Sequence, residues 1–321
     1  MENPLISLII LNWNGKECID ECLESVIKTE YKNIEIIVVD NGSTDDSLQR
    51  ITKHPKVTLI TLKENIGYAA GNNAGFRQAK GDFIATINND VIVEPHWLKQ
   101  PLEFLKKDPL IGIIACRQMK YDFHDTIDCL YAYPVHSLLF YPMGNGKKFS
   151  QKKLYSQPGF VIAAGGAAAI YRKELLDSLS GFDESYYSYH EESDLCMRAF
   201  LNGWKCVYAP EAIVYHKGSY SFNRIKNTFA FYHERNRVWF IYKFFPMKYI
   251  VRNILGIFFM ELRIIRVLFF KKKVWSAYFS ARYHGFHGLK RLRGARKKFI
   301  KLFKQKQKNY QEFMKNKKIN F

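Results

Sequence analysis

The sequence predicts an α/β fold in which a mostly parallel sheet carries helices on both faces. Over the first 120 residues, short β-branched runs alternate with longer stretches of helical spacing. The strand-forming runs are almost continuously apolar, as expected of strands that are covered on both faces. The predicted strands are Ser7–Leu11, Ile34–Val39, Val57–Leu62, Phe83–Ile87 and Ile111–Ala115. The predicted helices are Lys16–Lys28, Asp46–Thr52, Ala69–Ala79 and Pro95–Lys106.

Polar residues follow four consecutive predicted strands. The segments are Asn12–Gly15, Asp40–Asp45, Glu64–Gly67 and Asn88–Asp90. Ligands of open α/β sheets bind beyond the carboxyl ends of the strands, where these segments would meet. Each segment alone also has the composition of an ordinary turn or helix N-cap. Four in succession on one edge favour a ligand-binding site.

The pattern is irregular between residues 121 and 160, which contain Pro134, Pro142, Gly144, Gly146 and a cluster of lysines. We expect a surface excursion there and assign it no chemistry. A regular pattern returns at Phe160–Tyr171. It continues with a helix that ends at Leu201 and a strand that ends at His216.

The formal net charge of +19 is distributed unevenly. Residues 224–321 contain 26 Lys and Arg against three acidic residues, a net charge of +23, whereas residues 1–223 have a net charge of −4. This division predicts an α/β domain at 1–223, with halves of about 1–120 and 121–223. Residues 224–321 are predicted to form a basic, helical region that associates with an anionic surface.

The stretch Tyr249–Phe270 is strongly apolar but carries four charged residues. They are Arg252, Glu261, Arg263 and Arg266. A membrane-spanning helix needs about 20 mostly uncharged residues. We therefore expect an amphipathic helix in the membrane interface, with Lys and Arg on one face, and Lys271–Lys273 and Lys290–Lys318 adding attraction to anionic lipid. The alternative is a packed, structural helical cap.

Six cysteines lie scattered in apolar segments without a CxxC pair, which predicts free thiols in a reducing compartment. Met1–Ile10 lacks the basic start of a secretory signal and runs into a strand. We therefore expect a cytoplasmic protein, held peripherally on the inner face of the cell membrane by its basic region.

Taken in order, the motifs resemble those of the inverting glycosyltransferases of family 2, which have the GT-A fold, and of their rhamnosyltransferase-like subgroup. The resemblance covers about residues 5–245. It is carried by Ile10–Gly15, Val39–Asp45, Asn65–Asn73, Asn88–Asp90, Gly181–Glu184, Glu191–Leu195 and Tyr215–Ser219. It implies a Rossmann-like, mixed, mostly parallel sheet. It also implies transfer of a sugar from a nucleoside diphosphate to an acceptor hydroxyl, in the assembly of cell-surface polysaccharide.

By this resemblance, the first strand ends bind the sugar nucleotide. Trp13 lies where the family places an aromatic ring against the base, and Asp40 where a carboxylate accepts a hydrogen bond from the base or ribose. Gly67 would let the backbone approach the diphosphate. The implied donor-binding residues are Asn12, Trp13, Asp40, Asn65, Gly67, Asn72 and Asn89. For Trp13 the alternative is an aromatic plug at a strand end.

The segment Asn88–Asp90 matches the metal-binding motif of the family, with Asp90 as its one carboxylate. A divalent cation there would offset the charge of the leaving nucleoside diphosphate. His216, in the late histidine motif, is the second candidate ligand, and an imidazole ligand suits Mn²⁺ better than Mg²⁺. The implied cofactor is Mn²⁺ or Mg²⁺. Alternatively, His216 is a simple hydrogen-bonding residue.

Inverting transfer needs a group that removes the proton of the acceptor hydroxyl. The family commonly has Glu-Asp where this chain has Glu191-Glu192, so by position the base is Glu192, one methylene longer. Asp194 is expected to hold structure. Residues that fall where the family shapes the acceptor pocket are Gly165, Gly166, Asp183 and Glu191. The segment His233–Arg237 also resembles the subgroup, and an arginine there could reach a diphosphate.

The implied donor is a dTDP- or UDP-sugar, with rhamnose suggested by the subgroup, and the implied acceptor is a saccharide or lipid-linked saccharide. One alternative is a nucleotidyltransferase of related fold, although Asn12–Gly15 is not the Gly-rich, basic loop of those enzymes. Another is a non-catalytic protein that binds RNA or membrane through the basic region. No nucleic-acid-binding module is recognisable, so we expect no nucleic-acid partner.

Overall fold

A mixed sheet forms the centre of the chain in the computed structural model, which describes residues 3–150, 152–218, 226–270 and 275–320. The strands in chain order are β1 (Ile6–Asn12), β2 (Ile34–Asp40), β3 (Val57–Thr61), β4 (Phe83–Asn88), β5 (Val91–Val93), β6 (Ile111–Lys120), β7 (Ile127–Cys129), β8 (Ala132–Pro134), β9 (Phe140–Pro142), β10 (Gly159–Val161), β11 (Ala168–Arg172), β12 (Lys205–His216) and β13 (Ile319–Asn320). The pair β8–β9 forms a separate hairpin, and the other strands belong to the sheet.

Helices flank this sheet. They are α1 (Ile19–Ile27), α2 (Ser47–Ile51), α3 (Tyr68–Gln78), α4 (Lys99–Lys107), α5 (Lys153–Ser156), α6 (Lys173–Leu179), α7 (Glu191–Leu201), α8 (Lys226–Phe244), α9 (Met247–Arg252), α10 (Ile254–Phe270), α11 (Trp275–His287) and α12 (Arg293–Asn316). Short 3-10 segments lie at Glu184–Tyr186 and Gly288–Leu292. None of the described helices combines the length and the apolar character that crossing a membrane requires.

The strand order is β13-β10-β12-β6-β11-β4-β1-β2-β3, with β5 beside β12 and β7 beside β6. Strands β1 to β4 pair in parallel, as do β6 and β12, whereas β11 runs antiparallel between β4 and β6. Neighbouring residues of one strand serve opposite faces: Ile9 joins one apolar cluster, and Leu8 and Ile10 join the other. The predicted fold class is confirmed, and burial on both faces explains the continuous apolar runs.

The segment 121–160 differs from the prediction, because it is not a surface excursion. Strand β7 pairs with β6, and β10 joins the sheet beside β12. Between them, Leu130, Tyr131 and Leu138 are fully buried. Strands β7, β8 and β9 have three residues each, which is too short for an alternating pattern to show in the sequence.

The basic C-terminal region packs onto the sheet rather than trailing from it. One side of α12 buries Phe299, Phe303, Tyr310 and Phe313 in the same apolar cluster as sheet residues. Strand β13 then pairs with β10 at the edge of the sheet. The predicted boundary between residues 223 and 224 and the lysines Lys271–Lys273 lie outside the described residues.

Candidate active site

The polar strand ends lie around one cavity of about 670 Å³. Its walls come from the ends of β1, β4 and β12, the start of α7 and the first half of α8. The lining residues are Leu11, Trp13, Asn41, Asn65, Gly67, Tyr68, Asn88, Asn89, Asp90, Phe140, Tyr187, Ser188, Tyr189, His190, Glu191, Glu192, Ser193, His216, Thr228, Tyr232 and His233. The sheet thus brings together residues that are more than 200 positions apart.

Eight of the predicted site residues line this cavity. They are Trp13, Asn65, Gly67, Asn89, Asp90, Glu191, Glu192 and His216. The other six predicted residues do not line it. They are Asn12, Asp40, Asn72, Gly165, Gly166 and Asp183. Each of the six has contacts that suggest a supporting role.

Asp40 and Asn12 lie beneath the cavity and hold its loops. Both are almost completely buried. The Asn12 amide donates to Asp40 at 2.8 Å, and the Ser43 hydroxyl donates to the same carboxylate at 2.5 Å. The Asn89 amide donates to Oδ1 of Asn12 at 2.9 Å, which joins the end of β4 to the end of β1. The carboxylate of Asp40 thus accepts hydrogen bonds from the side chains of Asn12 and Ser43.

Position 67 needs a glycine because of its backbone conformation and its close approach to Tyr187. Its φ is +90°, and a Cβ there would lie 2.5 Å from the backbone oxygen of Tyr187. The Tyr187 hydroxyl donates to Asn65 at 3.2 Å, and the Asn41 amide donates to Oδ1 of Asn65 at 3.1 Å. Asn72 is fully buried and donates to the backbone oxygen of Tyr68 at 3.0 Å. This turn therefore packs against the wall that carries Tyr187.

Asp90 and His216 meet because β5 pairs antiparallel with the end of β12, which sets Val91 opposite His216. Nε2 of His216 lies 3.4 Å from Oδ1 of Asp90, and both side chains are largely buried. Nδ1 of His216 lies 2.8 Å from Oδ2 of Asp128 on β7. Since Nδ1 faces the carboxylate of Asp128, Nε2 is the ring nitrogen that faces Asp90, and both residues line the cavity.

The charges around His216 favour its protonated form when no metal is bound. Burial by itself lowers the pKa of His216, but the hydrogen bonds with Asp128 and Asp90 and the charges of both outweigh it and raise the pKa to about 10. No group of three or more His, Cys, Asp or Glu side chains among the described residues is arranged to hold a metal. A carboxylate and an imidazole, as in Asp90 and His216, are ligand types that suit a divalent transition metal.

Glu191 and Glu192 form a carboxyl pair at the first turn of α7 and also line the cavity. Burial raises the pKa of both side chains. The charge of Glu192 raises the pKa of Glu191 further, whereas a hydrogen bond with Glu191 partly offsets the rise for Glu192. Burial together with the mutual repulsion of the two charges therefore favours the binding of a proton by the pair.

The glycine pair 165–166 makes room for this carboxyl group. A Cβ on Gly166 would lie 2.1 Å from Oε1 of Glu192, so the Glu192 side chain occupies the space above that glycine. A Cβ on Gly165 would instead meet Gln118 and Cys129. Neither glycine lines the cavity, and Gly166 acts through the position of Glu192.

The wall before α7 has a strained backbone. Tyr187, Tyr189 and His190 have φ of +65°, +71° and +70°, which is uncommon for residues other than glycine. The buried Asn236 of α8 donates to the backbone oxygens of Tyr186, Ser188 and Tyr189 at 2.9, 2.8 and 2.7 Å. This segment, 186–190, leads directly into Glu191 and Glu192.

The charged residues near α8 mainly form internal ion pairs. Asp183 and Asp194 both accept from the buried Lys243, at 2.7 and 2.6 Å. The expected structural role of Asp194 agrees with this geometry, whereas the predicted acceptor residue Asp183 is engaged with Lys243. Arg237 pairs with Glu234 at 2.9 Å and is buried, so it does not face the cavity.

Aromatic side chains form part of the cavity wall, and the sequence analysis did not predict them. The rings of Tyr187 and Tyr232 stack with 4.5 Å between their centroids, and Phe140, Tyr189 and His190 complete this side. Tyrosines of a loop and of a helix have no periodic signal of their own. The clue available in the sequence was the position of Tyr187–His190 immediately before the acidic pair.

A family model and the names of curated relatives both indicate a glycosyltransferase. Residues 7–179 match the family model "Glycosyl transferase family 2". The chain is 36% identical to an uncharacterized glycosyltransferase of Haemophilus influenzae over 113 residues, which are 34% of this chain and 35% of that protein. It spans less than half of the length of several curated relatives that it matches.

Two solved structures share the fold. One is a mannosyltransferase from Pyrobaculum calidifontis in complex with GDP-Man and Mn²⁺, with a TM-score of 0.55 and 19% identity, covering 74% of this chain and 63% of that one. The other is S. aureus TarS in complex with UDP, with a TM-score of 0.52 and 20% identity, covering 74% of this chain and 65% of that one. At this identity the likeness concerns the fold, and it agrees with the predicted GT-A type sheet.

Proposed function

The chain belongs to glycosyl transferase family 2, and on that basis we propose that it transfers a sugar from a nucleoside diphosphate to an acceptor hydroxyl. One observation carries the proposal. The carboxyl pair Glu191–Glu192 lines the same cavity as Asp90 and His216, the two candidate metal ligands. The ligands of the two similar structures, GDP-Man and UDP, support a sugar nucleotide as the class of donor.

In the proposed reaction, Glu192 accepts the proton of the acceptor hydroxyl as that oxygen attacks the anomeric carbon and the nucleoside diphosphate leaves. In this proposal Glu191 carries the proton of the pair, because the charge of Glu192 raises the pKa of Glu191, and Glu192 acts as the carboxylate. Asp90 and His216 would hold a divalent metal, Mn²⁺ or Mg²⁺, and the bound metal would offset the charge of the leaving diphosphate. Direct displacement inverts the configuration of the sugar.

The donor end of the cavity is proposed to hold the base against Trp13, whose partly exposed ring offers a stacking face. The proposed donors are dTDP-rhamnose and UDP-sugars, and the proposed acceptor is a saccharide or lipid-linked saccharide of cell-surface polysaccharide. Asp40 contributes by fixing the loop that follows β2, because its oxygens accept from Asn12 and Ser43.

The test is release of nucleoside diphosphate from a panel of dTDP-, UDP- and GDP-sugars, with lipid-linked saccharide present. We expect release from one donor with Mn²⁺ or Mg²⁺, its loss in EDTA, and a loss of about 10²–10⁴-fold in Glu192→Gln. Because the pKa of Glu192 is raised, the wild-type rate should fall with decreasing pH at a higher pH than an ordinary glutamate would give.

Glu184→Gln is the matched control, since Glu184 is exposed and lies outside the cavity. It should keep the wild-type rate. Full activity in Glu192→Gln would move the base elsewhere. Failure of the wild type to bind any sugar nucleotide, with or without metal, would refute the proposed function.

A further inference from the structure

Exposed apolar side chains are concentrated on three consecutive helices. Among the described residues, 14 large apolar side chains are strongly exposed, and 11 of these lie between residues 247 and 286. They belong to α9, α10 and α11. The 11 residues, here named the apolar face, are Met247, Val251, Ile254, Leu255, Phe258, Phe259, Leu262, Ile265, Phe279, Tyr283 and Phe286. A monomeric soluble protein rarely leaves such a set uncovered.

The spacing shows that these residues form a continuous side of each helix. On α10, Ile254, Phe258 and Leu262 follow each other at intervals of four. On α11, Phe279, Tyr283 and Phe286 are separated by four and three positions. The opposite side of α11 is packed inward, since Tyr278, Ala281 and Gly285 are buried. On α10 the described residues that are not exposed are only partly buried.

The charges on this side all have one sign. Residues 247–298 contain a single acid, Glu261. Glu261 is turned inward and pairs with Arg237 at 2.6 Å and with Arg282 at 2.8 Å. Arg263 and Arg266, by contrast, are exposed on the outer side of α10, one turn beyond Phe259 and Leu262. Arginine and apolar side chains are therefore exposed together on α10, whereas the sequence predicted that they lie on separate faces of the helix.

We propose that the apolar face docks on the surface of an anionic lipid bilayer. Phenylalanine and leucine side chains would enter the boundary between headgroups and acyl chains, and Arg252, Arg263 and Arg266 would pair with phosphate at the same depth. A second copy of this chain fits less well, because a two-fold axis through this face would bring its arginines against each other. This inference does not depend on the proposed reaction.

The test is co-sedimentation of the full chain with vesicles of phosphatidylcholine, alone or mixed with phosphatidylglycerol. Wild type should bind the anionic vesicles and bind less as salt increases. The double variant Phe258→Ser/Phe259→Ser should bind at least about tenfold more weakly. Arg263→Gln/Arg266→Gln should lose the preference for phosphatidylglycerol.

Phe123→Ser is the matched control, because Phe123 and Phe259 are equally exposed, at 65%, and Phe123 lies outside the apolar face. It should bind as wild type does. Circular dichroism and Tm should be unchanged in all variants, since the substituted side chains are exposed.

Three results would overturn the proposal. The first is wild type that stays in the supernatant with every vesicle. The second is binding that Phe258→Ser/Phe259→Ser leaves intact. The third is a concentration-dependent dimer, or binding to RNA in place of vesicles, that the same double variant abolishes.

Discussion

At the scale of single residues, the position of Glu192 depends on the missing side chain of Gly166. A Cβ on Gly166 would lie 2.1 Å from Oε1 of Glu192, and among the described residues its three nearest atoms all belong to the Glu192 side chain. The atom in conflict is the end of a flexible side chain, so Gly166→Ala can be accommodated by moving the carboxyl group. The variant should fold normally and misplace the proposed base.

We expect Gly166→Ala to lower kcat by about 10²-fold, because small displacements of a reacting group are costly. The KM for the donor and the Tm should change little. The measurement is steady-state kinetics beside a thermal melt. Gly294→Ala is the control, since a Cβ at that position would have no atom of the described residues within 4 Å. An unchanged kcat in Gly166→Ala would show that Glu192 does not need its present position.

The motifs predicted residues that line the cavity, but they did not predict Asp128, which supports one of those residues. Asp90, Glu192 and His216 were predicted from their motifs, and all three line the cavity. Asp128 was not, although its carboxylate lies 2.8 Å from Nδ1 of His216. It is separated from His216 by 88 positions and belongs to a three-residue strand. A contact of that kind has no periodicity or motif in the sequence.

At the scale of secondary structure elements, α8 positions the segment 186–190. Asn236 is fully buried and donates to three backbone oxygens of that segment. Arg235 adds donors to the backbone oxygens of Ser185 and Tyr186 at 2.9 Å. These contacts give a structural reason for the His233–Arg237 motif, for which the resemblance suggested contact with a diphosphate.

Asn236→Asp tests this role without changing the volume of the side chain. A carboxylate cannot donate and would face three carbonyl oxygens, so we expect the free energy of unfolding to fall by about 1–3 kcal/mol. The kcat should fall as well, because Glu191 and Glu192 follow the segment directly. Urea unfolding and steady-state kinetics measure the two effects.

The control is Asn253→Asp, in which a buried asparagine loses a single donated bond, to the backbone oxygen of Tyr249. It should cost less stability and leave kcat unchanged. If Asn236→Asp kept the wild-type kcat, α8 would support the fold but not the geometry of the carboxyl pair.

At the scale of the whole molecule, the basic C-terminal helix is part of the central core. Phe303 and Tyr310 of α12 are fully buried and pack with Phe245 and Tyr249. The many lysines of α12 lie mostly on its exposed side. High positive charge therefore coexists with tight packing, because the two properties use opposite sides of one helix.

Phe303→Ala should lower the free energy of unfolding by about 3–5 kcal/mol, the usual cost of removing a buried phenylalanine. Urea unfolding of the full chain measures this. Lys304→Ala, at an exposed neighbouring position, should change stability little. A small effect of Phe303→Ala would mean that α12 contributes little to the core.

The sequence by itself determined the fold class, the positions of β1 to β4 along the chain and the strand ends that line the cavity. Long buried strands and their polar ends leave a periodic, local record. Only the tertiary structure decided which polar residues face the cavity and which lie beneath it, as Asp90 and Asp40 illustrate. It also decided the burial of segment 121–160 and of α12, because these depend on contacts between residues far apart in the chain, which no local pattern encodes.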